Sequence, residues 1–179
     1  MLVTEINPND ELWLSKVEAP QIITDANLFA WDDEADLVIA GLGGAGIAAA
    51  NEGLDQGLTV IGIDKTNGGG ATAKSGGVYY AGGGTPIQIA AGVEDSAKNM
   101  FNYLIQETGD IVKKSTLKNF CDTSAENTQW LMDNGVQFDP SYYKIKTSYP
   151  GAGYFLYHSD NSLVPSYMEK SIPAPRGHR

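Results

Sequence analysis

Three glycines and an aspartate carry the clearest chemical signal in this sequence. Gly41, Gly43 and Gly46 form a GxGxxG pattern directly after an apolar run, and Asp64 follows 18 positions after the last glycine (64 − 46). Glycines at this spacing allow a tight turn, a close approach of the backbone to a phosphate, and close packing of the following helix. A carboxylate about 20 residues further on can accept hydrogen bonds from ribose hydroxyls and would repel a 2′-phosphate. The pattern therefore predicts a site for a dinucleotide that is not of the NADP type.

A strand–helix–strand unit must hold these residues, and positions 36–64 predict one. An apolar run ends at Gly41, a stretch of small residues follows, and a second apolar run leads to Asp64. The first N–H groups of a helix lack intrahelical partners and carry partial positive charge, so we expect Gly44 and Ala45 to face the diphosphate. An isolated GxGxxG is weak evidence, but here strand, helix, second strand and acid occur in order. The predicted fold class is α/β with a Rossmann-like βαβ unit; a βαβ unit without a ligand is the alternative.

A second glycine-rich segment follows directly, at residues 66–92. Positions 68–85 hold eight glycines, interleaved with Thr72, Lys74 and Ser75. A linker or a plain turn is one interpretation. The other is a ligand-contacting loop, in which glycines let backbone N–H groups approach a phosphate or a flavin ring edge. A flavoprotein needs such a second cradle for its longer ligand, so the segment favours FAD over NAD, and an NAD-dependent dehydrogenase stays the weaker alternative.

Composition and charge argue against several classes of function. The 179 residues include 12 basic and 22 acidic side chains, a net charge of −10, and no basic patch, which argues against nucleic acid or an anionic membrane as a partner. No apolar run approaches the roughly 20 residues of a transmembrane segment, and the N-terminus does not resemble a signal peptide. Cys121 is the only cysteine, so we expect a cytoplasmic location. Together with His158 and His178 it has no metal-ligand spacing, and no metal site is predicted.

The chain divides into three predicted segments. Residues 1–35 form an N-terminal arm with a short strand or an extended stretch near 21–24, residues 36–92 form the βαβ unit and the glycine-rich loop, and residues 93–179 form a helical and loop segment leading toward a substrate domain. Within that last segment we predict one helix from about 95 to 107, capped by Asp95 or Ser96, and a second from about 115 to 134, capped by Ser115. The apolar positions expected to be buried are Met100, Phe101 and Leu104 on the first helix and Leu117, Phe120, Trp130 and Leu131 on the second.

Several further side chains have two interpretations each. Tyr79 and Tyr80 follow the second loop and either pack or donate to a substrate carbonyl; packing is favoured. His158 is expected to be a packing or surface residue, and Cys121 a buried small hydrophobe. The terminal Arg-Gly-His-Arg, residues 176–179, is expected to be a solvated tail, with an active-site neighbourhood as the alternative.

These motifs together resemble a known family. The stretches GLGGAG, IDKT and GGGATAKSGGVYYAGGGTPIQ are similar to the N-terminal part of FAD-dependent oxidoreductases of the fumarate reductase/succinate dehydrogenase flavoprotein superfamily. The 3-ketosteroid dehydrogenases are the most similar branch, and the resemblance covers residues 31–179, including AGVEDSAKNMFNYL and PAPRGHR.

The resemblance implies an FAD site, residue by residue. Asp64 would bind the adenosine ribose, where the family more often has glutamate. Some members attach FAD through a histidine before the second loop; Gly70 stands at that place here, which implies a non-covalent flavin. The predicted cofactor-binding residues are Gly41, Gly43, Gly44, Ala45, Gly46, Asp64, Lys65, Gly70, Thr72, Ser75, Gly76 and Gly77.

The resemblance also implies a reaction and an incomplete site. The expected activity is dehydrogenation of a carbon–carbon bond next to a ketone in a 3-ketosteroid-like substrate, with fumarate reductase-like alkene reduction as the alternative. Family members are much longer, and the further parallel strands that a flavin fold needs are not evident in residues 66–179. We therefore expect the N-terminal part of such an enzyme, whether truncated, cleaved or split, with unknown catalytic residues. A non-catalytic nucleotide-binding fragment that needs a partner is a further alternative.

Overall fold

A computed structural model describes residues 19–179, so positions 1–18 of the predicted arm lie outside the described residues. Of the two alternatives for residues 21–24, the strand is wrong, because these residues form no strand and Ile22 is 84% exposed. Their β propensity has no neighbouring strand to pair with among the described residues. A short 3-10 helix, Ala26–Leu28, follows instead, and the Asp25 carboxylate caps it by accepting from the N–H of Asn27.

The predicted strand–helix–strand unit is present. Strand β1 (Leu37–Ala40) and strand β2 (Val60–Ile63) pair in parallel, with Leu37 opposite Val60, and helix α1 (Gly44–Asp55) makes the crossover. Because successive side chains of a strand point to opposite faces, α1 covers the face that carries Ile39, while Val38 on the other face is 57% exposed.

A second sheet contains four two-residue strands in the order β3-β6-β5-β4. They are β3 (Tyr79–Tyr80), β4 (Tyr142–Tyr143), β5 (Leu156–Tyr157) and β6 (Gly177–His178). The central strand β6 pairs antiparallel with β3 and β5, and β4 pairs parallel with β5. Residues from the second glycine-rich loop and from the end of the chain therefore meet in one sheet.

Four helices complete the described residues: α2 (Pro86–Ala90), α3 (Ala97–Thr108), α4 (Lys114–Asp133) and α5 (Pro165–Met168). The predicted cap at Ser96 is confirmed, because its hydroxyl accepts from the N–H of Asn99 at 3.1 Å. The predicted cap at Ser115 is wrong, because Lys113 has the last non-helical backbone and Ser115 lies inside the first turn. No helix within residues 19–179 is both long enough and apolar enough to cross a membrane.

Helices α3 and α4 pack together to form the main core. Met100 and Tyr103 of α3 are buried with Leu117 and Cys121 of α4, as expected for Met100, Leu117 and Cys121. The prediction for Phe120 is wrong, since its side chain is 40% exposed. Phe101, Leu104, Trp130 and Leu131 are half-buried.

The inner stripe of α4 continues with two polar residues. Ser124 and Thr128 are fully buried in line with Leu117 and Cys121. The Thr128 hydroxyl donates to the Ser124 carbonyl at 2.9 Å, and the Ser124 hydroxyl accepts from the N–H of Gly82 at 3.0 Å. These hydrogen bonds allow small polar residues to occupy the core-facing positions. Phe120 lies beside this stripe and is 40% exposed.

Candidate nucleotide-binding site

The first glycine loop makes a tight turn between β1 and α1. Gly41 has φ of +95°, a conformation that favours glycine, and its N–H donates to the Ile63 carbonyl at 2.7 Å. An added Cβ on Gly46 would lie 1.9 Å from the Gly41 carbonyl oxygen, so helix and turn pack as closely as glycine permits. Gly43 occupies the N-cap position and has no side chain to cap the first N–H groups of α1. These groups are therefore open to an anionic ligand at the turn.

The second glycine loop folds directly onto the first. The Gly69 N–H donates to the Leu42 carbonyl at 2.7 Å, and a Cβ on Gly70 would lie 3.1 Å from the Gly43 Cα. A Cβ on Gly44 would lie 2.8 Å from the Thr72 hydroxyl oxygen. The segment is thus packed against the predicted diphosphate turn, which favours the ligand-contacting interpretation over a free linker.

A cavity of about 690 Å³ opens where the two loops meet the carboxyl ends of β1 and β2. Gly41, Asp64, Lys65 and Gly70 line it, together with Lys74, which was not among the predicted cofactor-binding residues. Ligands of open parallel sheets bind at this edge. The signal for Lys74 was its place among the loop glycines, and its charge suits a phosphate in a chain of net charge −10.

A second, smaller cavity of about 370 Å³ lies between the two loops and the end of α4. Gly43, Gly44 and Thr72 line it together with Trp130 and Leu131 from the end of α4. Ala45 and Gly46 continue into α1. The larger cavity thus takes four of the predicted residues and the smaller one takes three. The other five predicted residues line neither of these two cavities: Ala45, Gly46, Ser75, Gly76 and Gly77.

Asp64 is held by the loop backbone. Its Oδ2 accepts from the Leu42 N–H at 2.8 Å, and its Oδ1 accepts from the Thr66 N–H at 2.7 Å and the Thr66 hydroxyl at 2.8 Å. The N–H of Leu42, followed by the hydroxyl and N–H of Thr66, lowers the pKa of the Asp64 carboxyl from 3.8. The carboxylate is therefore charged at neutral pH and already engaged by protein donors.

The last predicted loop residues, 75–77, contact a segment from the C-terminal part of the chain. The Ser75 hydroxyl accepts from the Gly77 N–H at 3.2 Å, and the Tyr149 hydroxyl donates to the Gly76 carbonyl at 2.9 Å. The Arg179 guanidinium stacks on the Tyr149 ring, 4.3 Å from its centroid. The second loop therefore reaches from the nucleotide cavity to Tyr149, and through Tyr149 to Arg179, the residue after β6.

The expected solvated tail is wrong, because Arg176 and His178 are fully buried. Arg176 makes two hydrogen bonds of 2.9 Å to the Asp95 carboxylate, and its Nη1 lies 3.6 Å from the Asp160 carboxylate. Sequence reasoning missed this cluster because its members are distant along the chain. The available signal was the setting of Arg176, which follows Pro-Ala-Pro and has no charged neighbour before Arg179.

The tyrosines and histidines near this cluster are engaged in internal hydrogen bonds. The Tyr80 hydroxyl donates to Asp160 at 2.8 Å, and burial raises the pKa of Tyr80. His178 donates through Nδ1 to the Arg176 carbonyl at 3.1 Å and accepts at Nε2 from the Thr85 hydroxyl at 2.8 Å. His158 is buried against the Tyr142 hydroxyl at 2.9 Å, in keeping with its expected packing role. Within residues 19–179, no three metal-ligating side chains cluster.

Fold and site together define a Rossmann-type nucleotide-binding protein with a second, flavin-type glycine loop. A family model described as FAD binding domain matches residues 36–162. The chain belongs to this FAD-binding domain family, which confirms FAD as the cofactor and the predicted α/β flavoprotein fold class.

Individual relatives support the predicted resemblance. The chain is 39% identical over 160 residues to a 3-oxo-5-alpha-steroid 4-dehydrogenase of Comamonas testosteroni, covering 88% of this chain and 30% of that protein. It is 31% identical over 118 residues to an acrylate reductase flavoprotein subunit of Shewanella woodyi, covering 65% of this chain and 23% of that protein.

A solved structure agrees with these relatives. The crystal structure of 3-ketosteroid-delta4-(5alpha)-dehydrogenase from Rhodococcus jostii RHA1, in complex with 4-androstene-3,17-dione, matches with a TM-score of 0.79 and 38% identity. The match covers 85% of this chain and 32% of that one. The chain therefore spans about a third or less of the length of these relatives.

Proposed function

We propose that this chain forms the FAD-binding part of an oxidoreductase that dehydrogenates a carbon–carbon bond next to the ketone of a 3-ketosteroid-like substrate. The observation that carries the proposal is the packing of two glycine loops at the carboxyl ends of β1 and β2, in a chain 39% identical to a 3-oxo-5-alpha-steroid 4-dehydrogenase.

The residues present fit FAD. A Cβ on Gly70 would lie 3.1 Å from the Gly43 Cα, so there is little room for a side chain at position 70, and the open N–H groups of α1 suit a diphosphate. We assign the diphosphate to Gly41, Gly43, Gly44, Ala45 and Gly46, the adenosine ribose to the cavity beside Asp64 and Lys65, and the remaining ligand to Gly70, Thr72, Ser75, Gly76 and Gly77. Bound FAD would supply the two-electron redox chemistry, and the protein binds and orients it.

Attachment of the flavin is proposed to be non-covalent, since Gly70 stands where some family members carry a histidine. Acid precipitation of the loaded protein should release all yellow colour into the supernatant. Flavin fluorescence that stays with the denatured protein would contradict non-covalent attachment.

The proton-transfer groups are proposed to lie in a further part of the enzyme. Tyr80 and Arg176 are occupied by their buried partners, and Tyr79 packs beside Phe138, at 6.0 Å between ring centroids. We propose that residues 36–92 hold the cofactor, that residues 93–179 lead toward the substrate domain, and that the rest of a truncated, cleaved or split flavoprotein completes the site. The proposed location is cytoplasmic.

Titration of the purified chain with FAD tests cofactor binding. We expect a yellow complex and quenched flavin fluorescence. Gly70→Val should abolish binding because its Cβ would press on Gly43, whereas Gly151→Val, with open space around it, should bind normally. Tight NAD binding with no flavin binding would instead support an NAD-dependent dehydrogenase.

Turnover distinguishes an enzyme from a nucleotide-binding fragment. The FAD-loaded chain is assayed with a 3-ketosteroid and an electron-acceptor dye, alone and with the substrate part of a related dehydrogenase. Activity that appears only when the substrate part of the related dehydrogenase is added would support the proposal that this chain supplies the FAD site and another part supplies the substrate site. Full activity of the chain alone would rule out the fragment alternative, and no activity in either case would count against the steroid reaction.

Alkene reduction is the second candidate, because the chain is also 31% identical to an acrylate reductase flavoprotein subunit. The completed, FAD-loaded protein would be reduced chemically and mixed with an activated alkene such as acrylate or fumarate. Rapid reoxidation by the alkene, with no reduction of oxidised flavin by a 3-ketosteroid, would favour this second function.

A further inference from the structure

The peptide between Gly76 and Gly77, at the end of the second glycine loop, is held at both of its polar atoms. Its carbonyl accepts from the Tyr149 hydroxyl at 2.9 Å, and its N–H donates to the Ser75 hydroxyl at 3.2 Å. Residues 75–77 are themselves exposed. Two side-chain hydrogen bonds, and not burial, therefore set the orientation of this peptide.

The Tyr149 side chain reaches the loop from 73 positions away and is itself held in place. The Arg179 guanidinium stacks on its ring at 4.3 Å from the centroid and donates through Nη1 to the Pro150 carbonyl at 3.3 Å. The hydroxyl of Thr147 accepts from the Tyr149 N–H at 3.3 Å and donates to the Tyr149 carbonyl at 3.1 Å. Because the ring is 50% exposed, these contacts are what fix its direction.

Arg179 belongs to the same sheet that the loop enters. It follows β6 directly, and its N–H donates to the Phe155 carbonyl at 2.9 Å. Strand β6 also pairs with β3, which begins two residues after Gly77 (79 − 77). The end of the loop is therefore joined to β6 twice, once through β3 and once through Tyr149 and Arg179.

The neighbouring peptide has a donor available for a ligand. Within residues 19–179, the Gly76 N–H forms no hydrogen bond with the protein. Neither φ nor packing among these residues requires a glycine here, since an added Cβ would meet only the Tyr149 ring, at an ordinary 3.7 Å. An exposed N–H at a residue without a side chain suits the close approach of a polar ring edge.

We infer that Tyr149 is a positioning residue for the flavin: its hydroxyl holds the Gly76 carbonyl, Arg179 holds its ring, and the Gly76 N–H is thereby directed toward the flavin half of FAD. This inference rests on the proposed FAD site and adds two residues that lie far from both glycine loops in the sequence. The first loop and Asp64 take no part in these contacts. Binding of the ADP half should therefore not depend on Tyr149.

NMR relaxation of the backbone in the ligand-free chain tests the inference without any cofactor. The Gly76 and Gly77 N–H groups of the wild-type protein should have order parameters near about 0.85, the value of rigid backbone. Tyr149→Phe removes the hydroxyl alone, and both order parameters should fall to about 0.6 or below. Equal values in the two proteins would overturn the inference.

Comparison of FAD with ADP separates positioning of the flavin from general stability. Tyr149→Phe should weaken FAD by about three- to tenfold, the effect of one hydrogen bond, and should leave ADP within about twofold of wild type. Calorimetric titration measures both affinities. Unchanged FAD affinity, or an equal loss for FAD and ADP, would overturn the inference.

Tyr154 provides a matched control on the same segment. Its side chain is 43% exposed, its ring packs against Tyr143 at 5.1 Å between centroids, and its hydroxyl forms no hydrogen bond in the described part of the chain. Tyr154→Phe should leave the loop order parameters and both affinities unchanged. Losses as large as those of Tyr149→Phe would show an effect of the segment in general and would overturn the inference.

The absorption spectrum of bound FAD reports the surroundings of its ring. If the end of the loop moves, the flavin bands should shift in Tyr149→Phe and should match wild type in Tyr154→Phe. Identical bands in all three proteins would contradict a role of Tyr149 in placing the flavin.

A second variant and the wild-type titration complete the test. Arg179→Gln removes the stacked cation and leaves the hydroxyl in place, so it should give a smaller loss of affinity, again for FAD and not for ADP. It also replaces Tyr149→Phe if that variant fails to fold. Absence of FAD binding by the wild-type chain, with loop order parameters that still depend on Tyr149, would count against the proposed function and not against the hold of Tyr149 on the loop.

Discussion

The packing around Gly46 leaves no room for a side chain larger than a hydrogen atom. A Cβ there would lie 1.9 Å from the Gly41 carbonyl oxygen and 3.3 Å from the Ile39 side chain. Gly46→Ala should therefore lower the free energy of unfolding by about 2 kcal/mol or more, since a backbone atom must move. Urea denaturation measures the change, and Gly151→Ala, with no atom within 4 Å, should stay within about 0.5 kcal/mol of wild type. Equal stability of the two variants would contradict the close packing.

Arg176 is the cation of a fully buried ion pair. Both side chains of the Arg176–Asp95 pair are 0% exposed. Arg176→Met should lower the unfolding free energy by about 3–5 kcal/mol, because Asp95 would be left buried without its cation. Arg176→Lys should recover only part of this loss, since an ammonium lacks the two-pronged geometry.

An exposed pair is the control for this prediction. Lys118 and Asp122 are 67% and 48% exposed, so Lys118→Met should change the unfolding free energy by less than about 1 kcal/mol. Chemical denaturation at neutral pH measures all three variants. An Arg176→Met protein as stable as Lys118→Met would show that the buried pair contributes nothing to the fold.

His178 should make the stability depend on pH. Burial lowers the pKa of His178 from 6.5 in the folded chain, so the unfolded chain binds the proton more readily. Stability is therefore fully present above pH 6.5 and falls as the pH drops below it. Burial lowers the pKa of His158 in the same direction.

The pH window separates histidines from carboxylates, whose ordinary pKa is about 4. Unfolding free energies would be measured at pH 7.5, 6.5 and 5.0 for wild type, His178→Gln and His158→Gln. Each variant should lose part of the decline between pH 6.5 and 5.0. A wild-type protein that is equally stable at all three values would contradict the prediction.

At the scale of elements, α4 shows how packing sets the rotation of a helix. Its buried stripe includes Leu117 and Cys121, with Ser124 and Thr128, and Phe120 lies outside it. Leu117→Ala should cost about 2–5 kcal/mol of unfolding free energy, while Phe120→Ala should cost about 1 kcal/mol or less. Thermal or urea unfolding measures both. A larger loss of stability in Phe120→Ala than in Leu117→Ala would show that Phe120 is buried, as its hydrophobicity predicts.

The elements were predictable to different degrees. The local sequence predicted strand β1, helix α1 and strand β2. Each glycine and the acid at the end of β2 meets a steric or electrostatic requirement of the βαβ unit itself. The four-stranded sheet was not predictable, since its two-residue strands have no periodicity and depend on partners such as Tyr79 and His178, 99 positions apart (178 − 79).

At the scale of the whole molecule, one face of the parallel sheet is exposed within residues 19–179. Val38 and Ile63 on that face are each 57% exposed, whereas parallel sheets are normally covered on both sides. We expect the chain to bind a hydrophobic dye and to associate at raised concentration through this face. Val38→Lys should reduce both, as measured by dye fluorescence and light scattering.

Ile111 is the control for this surface. It is 92% exposed and lies in the connection between α3 and α4, which is not part of the sheet. Ile111→Lys should leave dye binding and association nearly unchanged. An equal effect of both substitutions would attribute the association to general hydrophobicity and not to the uncovered face.

The nucleotide turn could be predicted from the sequence because its requirements are local. A tight turn, a close backbone approach and an acid at the strand end are each met by a residue type at a set spacing, from Gly41 to Asp64. The burial of Arg176 and the engagement of Asp64 with loop backbone depend on contacts between distant residues. Asp95 and Arg176 are 81 positions apart, and Leu42 and Asp64 are 22 apart. The hydrogen bonds of Arg176 and Asp64 depend on which groups the fold brings near them. Only the tertiary structure therefore decided the roles of these two side chains.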